Sequence, residues 1–408
     1  MPPKKLENNR STNAAAALAA CEDLMLCILA RLPLKSILRF KSVCKSWNHL
    51  LSTQEFIKTQ FKLPSKSKNQ SFLIHRINKD GSNTISVFNI WSNVKILDHP
   101  YNYTPIEINI VGCCNGLVCI GLGQGFVLWN PALKLYKTVS PSKGVFESYG
   151  FKVSLGFGYD AEGGNFKVVR IVWLINKINS EMRVSWVEVY SANSDSWTTI
   201  DPGFQITKLK IYRINNSAIV NGNPYWVVEE GENKNVLICF DMSKLVFKIV
   251  PYMSSLDYNK TKLDIKFVDL NGSLGALVFT CRYDTIIAYV DAWVFGEDTI
   301  AYVDAWVFDE GEQIWTKSHS VGPIEVKMNR VLRCLNDGRV LGKRPNGKLT
   351  VFNSETKYVR DLFHVNRRFD IYDYTASLAY IQGMEKVKLK ERRDHWNKSK
   401  LIWRKRRH

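Results

Sequence analysis

The spacing of apolar residues divides this chain into two parts. From residue 20 to 61, apolar side chains recur every three or four positions, starting with Leu24 and Ile28, which is the period of an α-helix. Pro33 ends the first of these runs, because the residue before a proline is disfavoured in the helical conformation. From Ser71 to about residue 382, short β-branched and aromatic runs alternate with Gly, Asn, Asp and Pro, which is typical of strands joined by turns.

The first part is predicted to be a small group of short helices, here called the helical unit. Glu22 and Asp23 fall in its first turn, where the helix dipole favours acids. Two further helices are predicted by the apolar residues Leu34, Ile37, Leu38 and Phe40, and by Val43, Cys44, Trp47, Leu50 and Leu51. Thr53 is placed to cap a last turn that holds Phe56. About forty residues cannot usually bury so much apolar surface, so the helical unit is expected to dock on its own chain or on another protein.

The spacing of individual residues in the helical unit is more specific than its period. It reads ED-L-x3-IL-x-RLP-x-KS-x2-RFK-x-VCKSW-x2-L, with motif positions Glu22, Asp23, Leu24, Ile28, Leu29, Arg31, Leu32, Pro33, Lys35, Ser36, Arg39, Phe40, Val43, Cys44, Lys45, Ser46, Trp47 and Leu50. This pattern resembles the F-box, the helical module by which plant F-box proteins dock on the Skp adaptor of a cullin-based ubiquitin ligase. Ala20 and Cys21 stand where the family usually has Leu-Pro. This departure is expected to remove one apolar contact to the adaptor.

The second part of the chain contains a degenerate repeat. An aromatic residue is followed at once by a small polar residue six times, at Phe88-Asn89, Trp129-Asn130, Tyr190-Ser191, Phe240-Asp241, Phe308-Asp309 and Phe352-Asn353. The residues two and four positions before each polar residue are apolar, so each landmark is predicted to end a strand. Asn, Asp or Ser then opens a tight turn by bonding its own backbone. The polar residues are 41, 61, 50, 68 and 44 positions apart, near the roughly 50 residues of a kelch-like propeller blade.

Six such units predict a β-propeller of about six blades, although the same hairpins can also build a β-sandwich or an irregular meander. The paired glycines of kelch blades are missing apart from Gly163-Gly164, so the repeat is kelch-like and not a plain kelch repeat. Three further segments, CNGLVC at 114–119, LWNPALKLYKTV at 128–139 and VEVYSANSDSW at 187–197, resemble the F-box-associated domain of plants. The two resemblances together imply a receptor that carries a target-binding domain behind an adaptor-binding module.

One nine-residue segment occurs twice without change. IAYVDAWVF is found at residues 287–295 and again at 300–308. The second copy continues into a landmark turn and Trp315, so it is predicted to be the strand of the blade. Removing the 13-residue shift between the copies would also reduce the longest landmark spacing from 68 to 55 residues.

The net charge of +18 is concentrated at the end of the chain. Residues 386–408 hold 11 Lys and Arg against 2 acids, which is half of the excess. This distribution indicates a basic tail and not a uniformly basic binding face. The tail is compatible with nuclear import or nucleic-acid binding, and equally with a solvated terminus.

No motif in the sequence predicts catalysis or a metal site. Gly121, Gly123 and Gly125 form a GxGxG, but the strand FVLWN follows them, and a phosphate loop requires a helix there. These glycines are therefore predicted to form a tight β-turn. The nine cysteines include no C-x2-C pair and no Cys/His ladder, so no zinc site is expected. We expect no catalytic residue, cofactor or metal.

These observations predict an α+β multidomain chain in which a small N-terminal helical F-box precedes an all-β, six-bladed, kelch-like propeller. The predicted divisions are a disordered tail at 1–19, the F-box at 20–61, a linker at 62–70, the F-box-associated domain at 71–382 and a basic tail at 383–408. The resemblance implies adaptor contacts from Leu24, Ile28, Leu29, Leu32, Pro33, Leu34 and Ile37. It implies an F-box core made of Phe40, Val43, Cys44, Trp47 and Leu50.

The function implied by the resemblance is that of a non-catalytic substrate receptor of an SCF-type ubiquitin ligase. Its expected partners are the Skp adaptor, through it a cullin and a RING subunit, and an unidentified target protein. No membrane partner is expected, and the expected location is the cytoplasm, the nucleus or both. The alternatives are a basic nucleic-acid-binding protein, and a propeller lectin or enzyme whose helical unit is only structural.

Overall fold

The computed structural model describes most of the helical unit and of the β-rich part. The described residues are 24–62, 70–78, 82–91, 94–97, 99, 108–123, 125–142, 150–231, 234–253, 263–282, 300–324, 328, 330–335, 337–365 and 369–387. Several predictions concern residues outside these ranges. They are the disordered tail at 1–19, the Ala20-Cys21 departure, most of the linker, the first copy at 287–295 and the basic tail from residue 388.

The helical unit contains four helices within the described residues. They are α1 (residues 24–30), α2 (Leu34–Phe40), α3 (Lys45–Leu50) and α4 (Gln54–Lys62). The backbone N–H of Phe56 donates to Thr53 Oγ1 at 3.3 Å, which confirms the predicted cap. Val43 and Cys44 were predicted inside the third helix, but they precede it, and Cys44 is the residue before α3 whose Sγ accepts from Trp47 N at 3.4 Å.

The β-rich part contains 25 strands and one short helix within the described residues. The strands are β1 (Ser71–Ile77), β2 (Asn83–Asn89), β3 (Lys95–Ile96), β4 (Asn109–Cys114), β5 (Leu117–Leu122), β6 (Gly125–Asn130), β7 (Leu135–Val139), β8 (Phe151–Asp160), β9 (Asn165–Ile175), β10 (Met182–Ser191), β11 (Ser196–Ile200), β12 (Ile211–Val220), β13 (Asn223–Glu230), β14 (Lys234–Asp241), β15 (Val246–Val250), β16 (Leu263–Leu270), β17 (Ser273–Arg282), β18 (Ile300–Asp309), β19 (Ile314–Ile324), β20 (Arg330–Cys334), β21 (Arg339–Lys343), β22 (Lys348–Asn353), β23 (Val359–His364), β24 (Phe369–Asp373) and β25 (Glu385–Lys386). The short helix is α5 (Phe204–Thr207), between β11 and β12.

Strand pairing arranges these strands as six blades of a propeller. Blade 1 has the order β24-β1-β2-β3, blade 2 is β4 to β7 with β25 at its outer edge, and blades 3 to 6 are β8–β11, β12–β15, β16–β19 and β20–β23. Blades 3 and 4 are joined by a single residue pair, Met182 and Ile211. All pairings within the blades are antiparallel between neighbours. The prediction of a six-bladed propeller is confirmed, and the β-sandwich is wrong.

The ring is closed by strand β24, which comes from the C-terminal end of the β-rich part. β24 pairs with β1 from Phe72 opposite Asp373 to Arg76 opposite Phe369, and so becomes the innermost strand of blade 1. The Tyr372 hydroxyl donates to the Ile110 carbonyl of blade 2 at 2.9 Å. Every blade therefore has a neighbour on both sides, which is how propellers avoid open sheet edges.

After β24 the chain continues along blade 2 as a strap, defined here as residues 374–387. Lys137 Nζ donates to the carbonyl of Gln382 at 2.9 Å, and Val387 N donates to the carbonyl of Lys134 at 2.9 Å. Strand β25 in the strap pairs with β7, the fourth strand of blade 2. The predicted domain boundary at residue 382 is therefore too early, because the sheet continues beyond it.

The six aromatic landmarks lie at the ends of the third strands, β2, β6, β10, β14, β18 and β22. Asn130 shows the predicted turn, since its Oδ1 accepts from Ala132 N at 3.0 Å and from Leu133 N at 3.1 Å. The same side-chain-to-backbone bonds are made by Asn89, Ser191, Asp241, Asp309 and Asn353. In five blades the residue four positions later has a φ between 50° and 57°: Lys134, Asp195, Leu245, Gln313 and Lys357. The predicted strand–turn–strand unit is confirmed.

Two local predictions in the β-rich part are also confirmed. The GxGxG is the hairpin between β5 and β6, in which Leu122 pairs with Gly125 and Gly123 has a φ of 51°. The second copy of the repeated segment is strand β18, which lies between β17 and β19 in blade 5. Phe308 of this copy pairs with Trp315 across the landmark turn.

Candidate functional site

The helical unit lies on one face of the propeller, at the C-terminal ends of the inner strands. Phe61 of α4 makes edge-to-face contacts with Tyr159 and Phe166, at centroid distances of 5.3 and 6.0 Å. These two aromatic residues flank the β8–β9 hairpin. In the same hairpin Gly164 lies against Lys58, and a Cβ there would come within 2.3 Å of Lys58 Cε. Gly164 of the doublet thus permits the close approach of α4 to blade 3.

The strap contributes a residue to the core of the helical unit. Leu378 belongs to the same buried cluster as Leu29, Ile37, Leu51 and Phe56, together with Ala30 and Ile57. Leu133, from the landmark turn of blade 2, packs at the edge of this cluster. The helical unit therefore completes its core with residues of the propeller. This is one of the two alternatives that the sequence allowed, docking on its own chain or on another protein.

The strap is held in this position by the landmark turn of blade 2. Asn130 Nδ2 donates to the carbonyl of Ser377 at 3.1 Å and to the carbonyl of Ala379 at 2.8 Å. Asn130 is fully buried. A single side chain thus shapes the turn and fixes the backbone on both sides of Leu378.

Several apolar residues of the helical unit remain uncovered. Leu24 and Ile28 are 66% and 63% exposed, and they lie four residues apart in α1, so they share one face of the helix. Pro33, Leu38 and Val43 are exposed as well. Exposed apolar residues grouped on a folded unit mark an interaction surface. We call these five residues the open face.

The predicted assignment of residues to the adaptor face and to the core needs correction. Leu29 and Ile37 were predicted to contact the adaptor, but they are 5% and 0% exposed, because they point from α1 and α2 into the shared cluster. Val43 and Cys44 were predicted in the core, but both are exposed, because they lie in the turn before α3.

The remaining predicted residues are neither all buried nor all exposed. Leu32 and Leu34 are half-buried at the edge of the cluster and Pro33 is exposed, so these three side chains are partly accessible to a binding partner. Phe40, Trp47 and Leu50 are half-buried. Phe40 and Trp47 pack edge to face at 5.3 Å and support the cluster, as predicted for core residues.

Sequence reasoning missed the propeller residues that support the helical unit. Leu378 is more than three hundred positions from α1, and Leu133 lies in a turn whose pattern describes only its own hairpin. The only local signal for Leu378 is that it lies in a mainly apolar segment, SLAYI at 377–381, that follows the last strand of the ring. This signal predicts a buried segment, but it does not identify the residues on which the segment packs.

The axis of the propeller is a cavity of about 2150 Å³ lined by the inner strand of every blade. It extends from Ala30 and Lys58 of the helical unit to Arg330 and Asp370, which begin the inner strands β20 and β24. Propellers characteristically enclose such a central channel. The helical unit therefore stands at one mouth of the channel, and the N-terminal ends of the inner strands, among them Arg330 of β20, surround the other.

Buried thiols and possible metal ligands were the remaining candidates for chemistry in the described residues. Burial raises the pKa of the thiols of Cys114 and Cys239 to about 12, so neither is a thiolate at neutral pH. Among the described residues no group of three His, Cys, Asp or Glu side chains is placed to hold a metal ion. No helix in the described part of the chain is long and apolar enough to cross a membrane.

The family of the chain follows from two regions that match known domains. Residues 21–59 match the F-box domain, and residues 65–294, more than half of the chain, match the F-box associated beta propeller domain. The chain is an F-box protein. The second match ends before β18, so the fold shows that the propeller of this F-box protein extends further, by two strands of blade 5, all of blade 6 and the strands β24 and β25.

Several plant F-box proteins are similar to this F-box protein over much of its length. An F-box/kelch-repeat protein of Arabidopsis thaliana is 27% identical over 66% of this chain and 73% of its own length. A putative F-box/kelch-repeat protein of the same plant is 24% identical over 90% of this chain and 95% of its own. F-box protein CPR1 of Arabidopsis thaliana is 25% identical over 83% of each chain. The resemblance to plant F-box proteins with a kelch-like propeller is confirmed.

F-box proteins in general are substrate-recognition subunits of SCF ubiquitin ligases, and the F-box is the part that binds the Skp adaptor. They are generally non-catalytic adaptors. In this F-box protein the open face belongs to the F-box, and the channel is formed by the inner strands of the propeller and reaches the F-box at one mouth, where Pro33 lines it. The two candidate sites therefore meet at Pro33 and otherwise lie in different domains.

Proposed function

We propose that this chain docks on the Skp adaptor through the open face and presents a target protein for ubiquitination from the opposite end of the propeller. The observation that carries the proposal is the strong exposure of Leu24 and Ile28 on a unit whose core residues, such as Leu29 and Ile37, are buried with help from the propeller. The helical unit no longer needs these two side chains for its own core. Their burial on an adaptor would be favourable by roughly 1.5–3 kcal/mol each.

The position of the helical unit suggests where the target binds. Phe61 and Leu378 seat it at the C-terminal ends of the inner strands, so the opposite end of the channel is free of it. Propeller loops at such an end vary without disturbing the blades, which suits recognition. The chain would supply no reacting group. It would contribute position and effective concentration to a reaction that a partner enzyme performs.

The test is adaptor binding by the variant Leu24→Asp/Ile28→Asp, measured by isothermal titration with purified Skp adaptor. Buried contacts at the centre of an interface are worth about 2 kcal/mol or more each, so we expect affinity to fall by about 100-fold or more. Both residues are exposed in the free chain, so its melting temperature should stay unchanged.

The matched control is Ile178→Asp, which places the same charge on a residue that is 96% exposed in the β9–β10 connection. This control should bind the adaptor as the unaltered chain does. Undiminished adaptor binding by the double variant would exclude the open face. Absence of binding by the unaltered chain would exclude the docking proposal as a whole.

A further inference from the structure

The channel contains a group of basic side chains that the adaptor-docking role does not use. Lys266 lies in the inner strand of blade 5, and Arg330 and Arg333 lie in the inner strand of the neighbouring blade 6. All three line the central cavity. We call them the basic wall.

The three cations differ in how they are paired. Arg333 Nε donates to Asp373 Oδ2 at 3.0 Å, and its Nη2 donates to the carbonyl of Ile371 at 3.0 Å. Arg333 is thereby fixed against the closing strand β24. Among the described residues, no carboxylate lies within ion-pair distance of Lys266 or Arg330. Within the described part of the chain, Lys266 and Arg330 therefore face the cavity without a direct ion pair.

The surroundings of Lys266 disfavour its positive charge. Burial, together with the neighbouring charges of Arg333 and Arg330, holds the pKa of the Lys266 ammonium well below its usual range, although Asp373 and Asp370 act in the opposite direction. An anion placed between these cations would relieve both the repulsion and the lost hydration. Such a site gains more from an anionic ligand than an exposed lysine does.

We propose that the basic wall binds an oxyanion of the phosphate type, carried by a small molecule or by a side chain of a target. Arginine suits this chemistry because its planar donors match the oxygens of a phosphate, and lysine adds a point charge. Arg330 begins its strand at the channel end opposite the helical unit. The ligand therefore enters from the end that is free of the helical unit, and the proposal stands whether or not the chain docks on an adaptor.

The acidic residues in the same cavity influence how tightly the basic wall binds an anion. Asp373 is engaged by Arg333 and by Gln70, whose Nε2 donates to it at 3.1 Å. Asp269 accepts from Gly272 N at 2.7 Å at the far end of β16, and burial raises the pKa of its carboxyl. Asp370 pairs with His75 in the β24–β1 ladder, but its side chain makes no hydrogen bond or ion pair with any described residue. It is the carboxylate that competes with a bound anion.

The experiment is an isothermal titration of pyrophosphate into the full chain and four variants. Lys266→Gln and Arg330→Gln should each weaken binding by about tenfold or more, since each removes a charge-assisted hydrogen bond. Lys244→Gln is the matched control, because it removes the same charge from an exposed turn of blade 4. It should bind as the unaltered chain does. Asp370→Asn should strengthen binding, because it removes the competing charge.

Melting temperatures separate this role from a structural one. Lys266→Gln should melt at or above the temperature of the unaltered chain, because it removes a repelled, half-buried charge. The proposal is overturned if pyrophosphate does not bind, or if Lys244→Gln weakens binding as much as the two channel variants do.

A second pair of titrations identifies the source of the oxyanion. A phosphoserine peptide is compared with the same peptide without the phosphate. If the phosphopeptide binds and Lys266→Gln abolishes this, the basic wall recognises a phosphorylated target. If only pyrophosphate binds, the site takes a small phosphorylated molecule. Either result supports an oxyanion site, and binding of both peptides alike would overturn it.

Discussion

The helical unit and the propeller bury their apolar residues in opposite ways. In the propeller, buried clusters lie between neighbouring blades, as where Leu73 of blade 1 meets Trp129 of blade 2, and β24 gives every blade two neighbours. In the helical unit, Leu378 of the strap completes the core while Leu24 and Ile28 stay exposed. One region is complete in itself, and the other is anchored on it with apolar surface left over.

This difference explains how a short helical segment can keep an exposed apolar surface and remain folded. A unit of about forty residues would be only marginally stable with its own core alone. The contacts of Phe61 with Tyr159 and Phe166 extend that core into blade 3. The residues of the open face are then free for a partner. Stability is supplied by the propeller, and binding is left to the helical unit.

The largest effect is expected from breaking the ring. Removal of residues 369–408 takes away β24, so blade 1 loses its innermost strand, Arg333 loses Asp373, and the helical unit loses Leu378. We expect no cooperative thermal transition, since the full stability of a domain is only about 5–15 kcal/mol. Circular dichroism melting measures this. The control lacks only residues 388–408 and should melt as the full chain does.

A cooperative melt of the shorter chain at the temperature of the control would contradict this prediction. It would mean that five open blades and an incomplete sixth are stable without closure. The propeller would then not be the self-sufficient region of the comparison.

The sequence was informative where a local rule decides the structure. Each landmark follows from an aromatic residue that ends a strand and an Asn, Asp or Ser that caps the turn, and both rules act within about six residues. Pro33 and Thr53 marked helix boundaries for the same reason.

The sequence was uninformative where a distant segment decides the structure. Leu29 and Ile37 share the apolar character of Leu24 and Ile28, and only the packing of the folded cluster, to which Leu378 of the strap contributes, determines which of them are covered. The basic wall has the same origin, because Lys266 and Arg330 are brought together by neighbouring blades. Periodicity reports that a residue is apolar or that a strand exists, and it does not report the partner.

The next largest effect is expected inside the helical unit. Ile37→Ala should destabilise it by about 2–5 kcal/mol, because Ile37 is fully buried and its truncation leaves a cavity. Leu38→Ala is the control on the neighbouring, exposed residue and should cost less than about 0.5 kcal/mol. Hydrogen exchange should show faster opening of α2 and α4 in Ile37→Ala, with the strands of blades 4 and 5 unchanged.

Equal protection of the helices in both variants would mean that Ile37 is not a core residue. Faster exchange throughout the propeller would mean that the two regions unfold together. Only the local result supports a helical unit that rests on an independent propeller.

The smallest effect is expected at the contact between the two regions, as the difference in stability between two matched substitutions. Asn130→Ala and Asn353→Ala each remove the two turn hydrogen bonds of a landmark, in blades 2 and 6. A typical hydrogen bond contributes about 0.5–1.5 kcal/mol, so the loss of two in Asn353→Ala should cost about 1–3 kcal/mol in urea unfolding.

Asn130→Ala should cost about 1–3 kcal/mol more than Asn353→Ala, because the carbonyls of Ser377 and Ala379 also lose their donor in a buried place. The additional loss loosens the backbone around Leu378, so hydrogen exchange in α4 should rise in Asn130→Ala and stay constant in Asn353→Ala. If both variants lose the same stability and α4 is protected equally in both, the strap does not anchor the helical unit. In that case the contacts of Phe61 with blade 3 hold it alone.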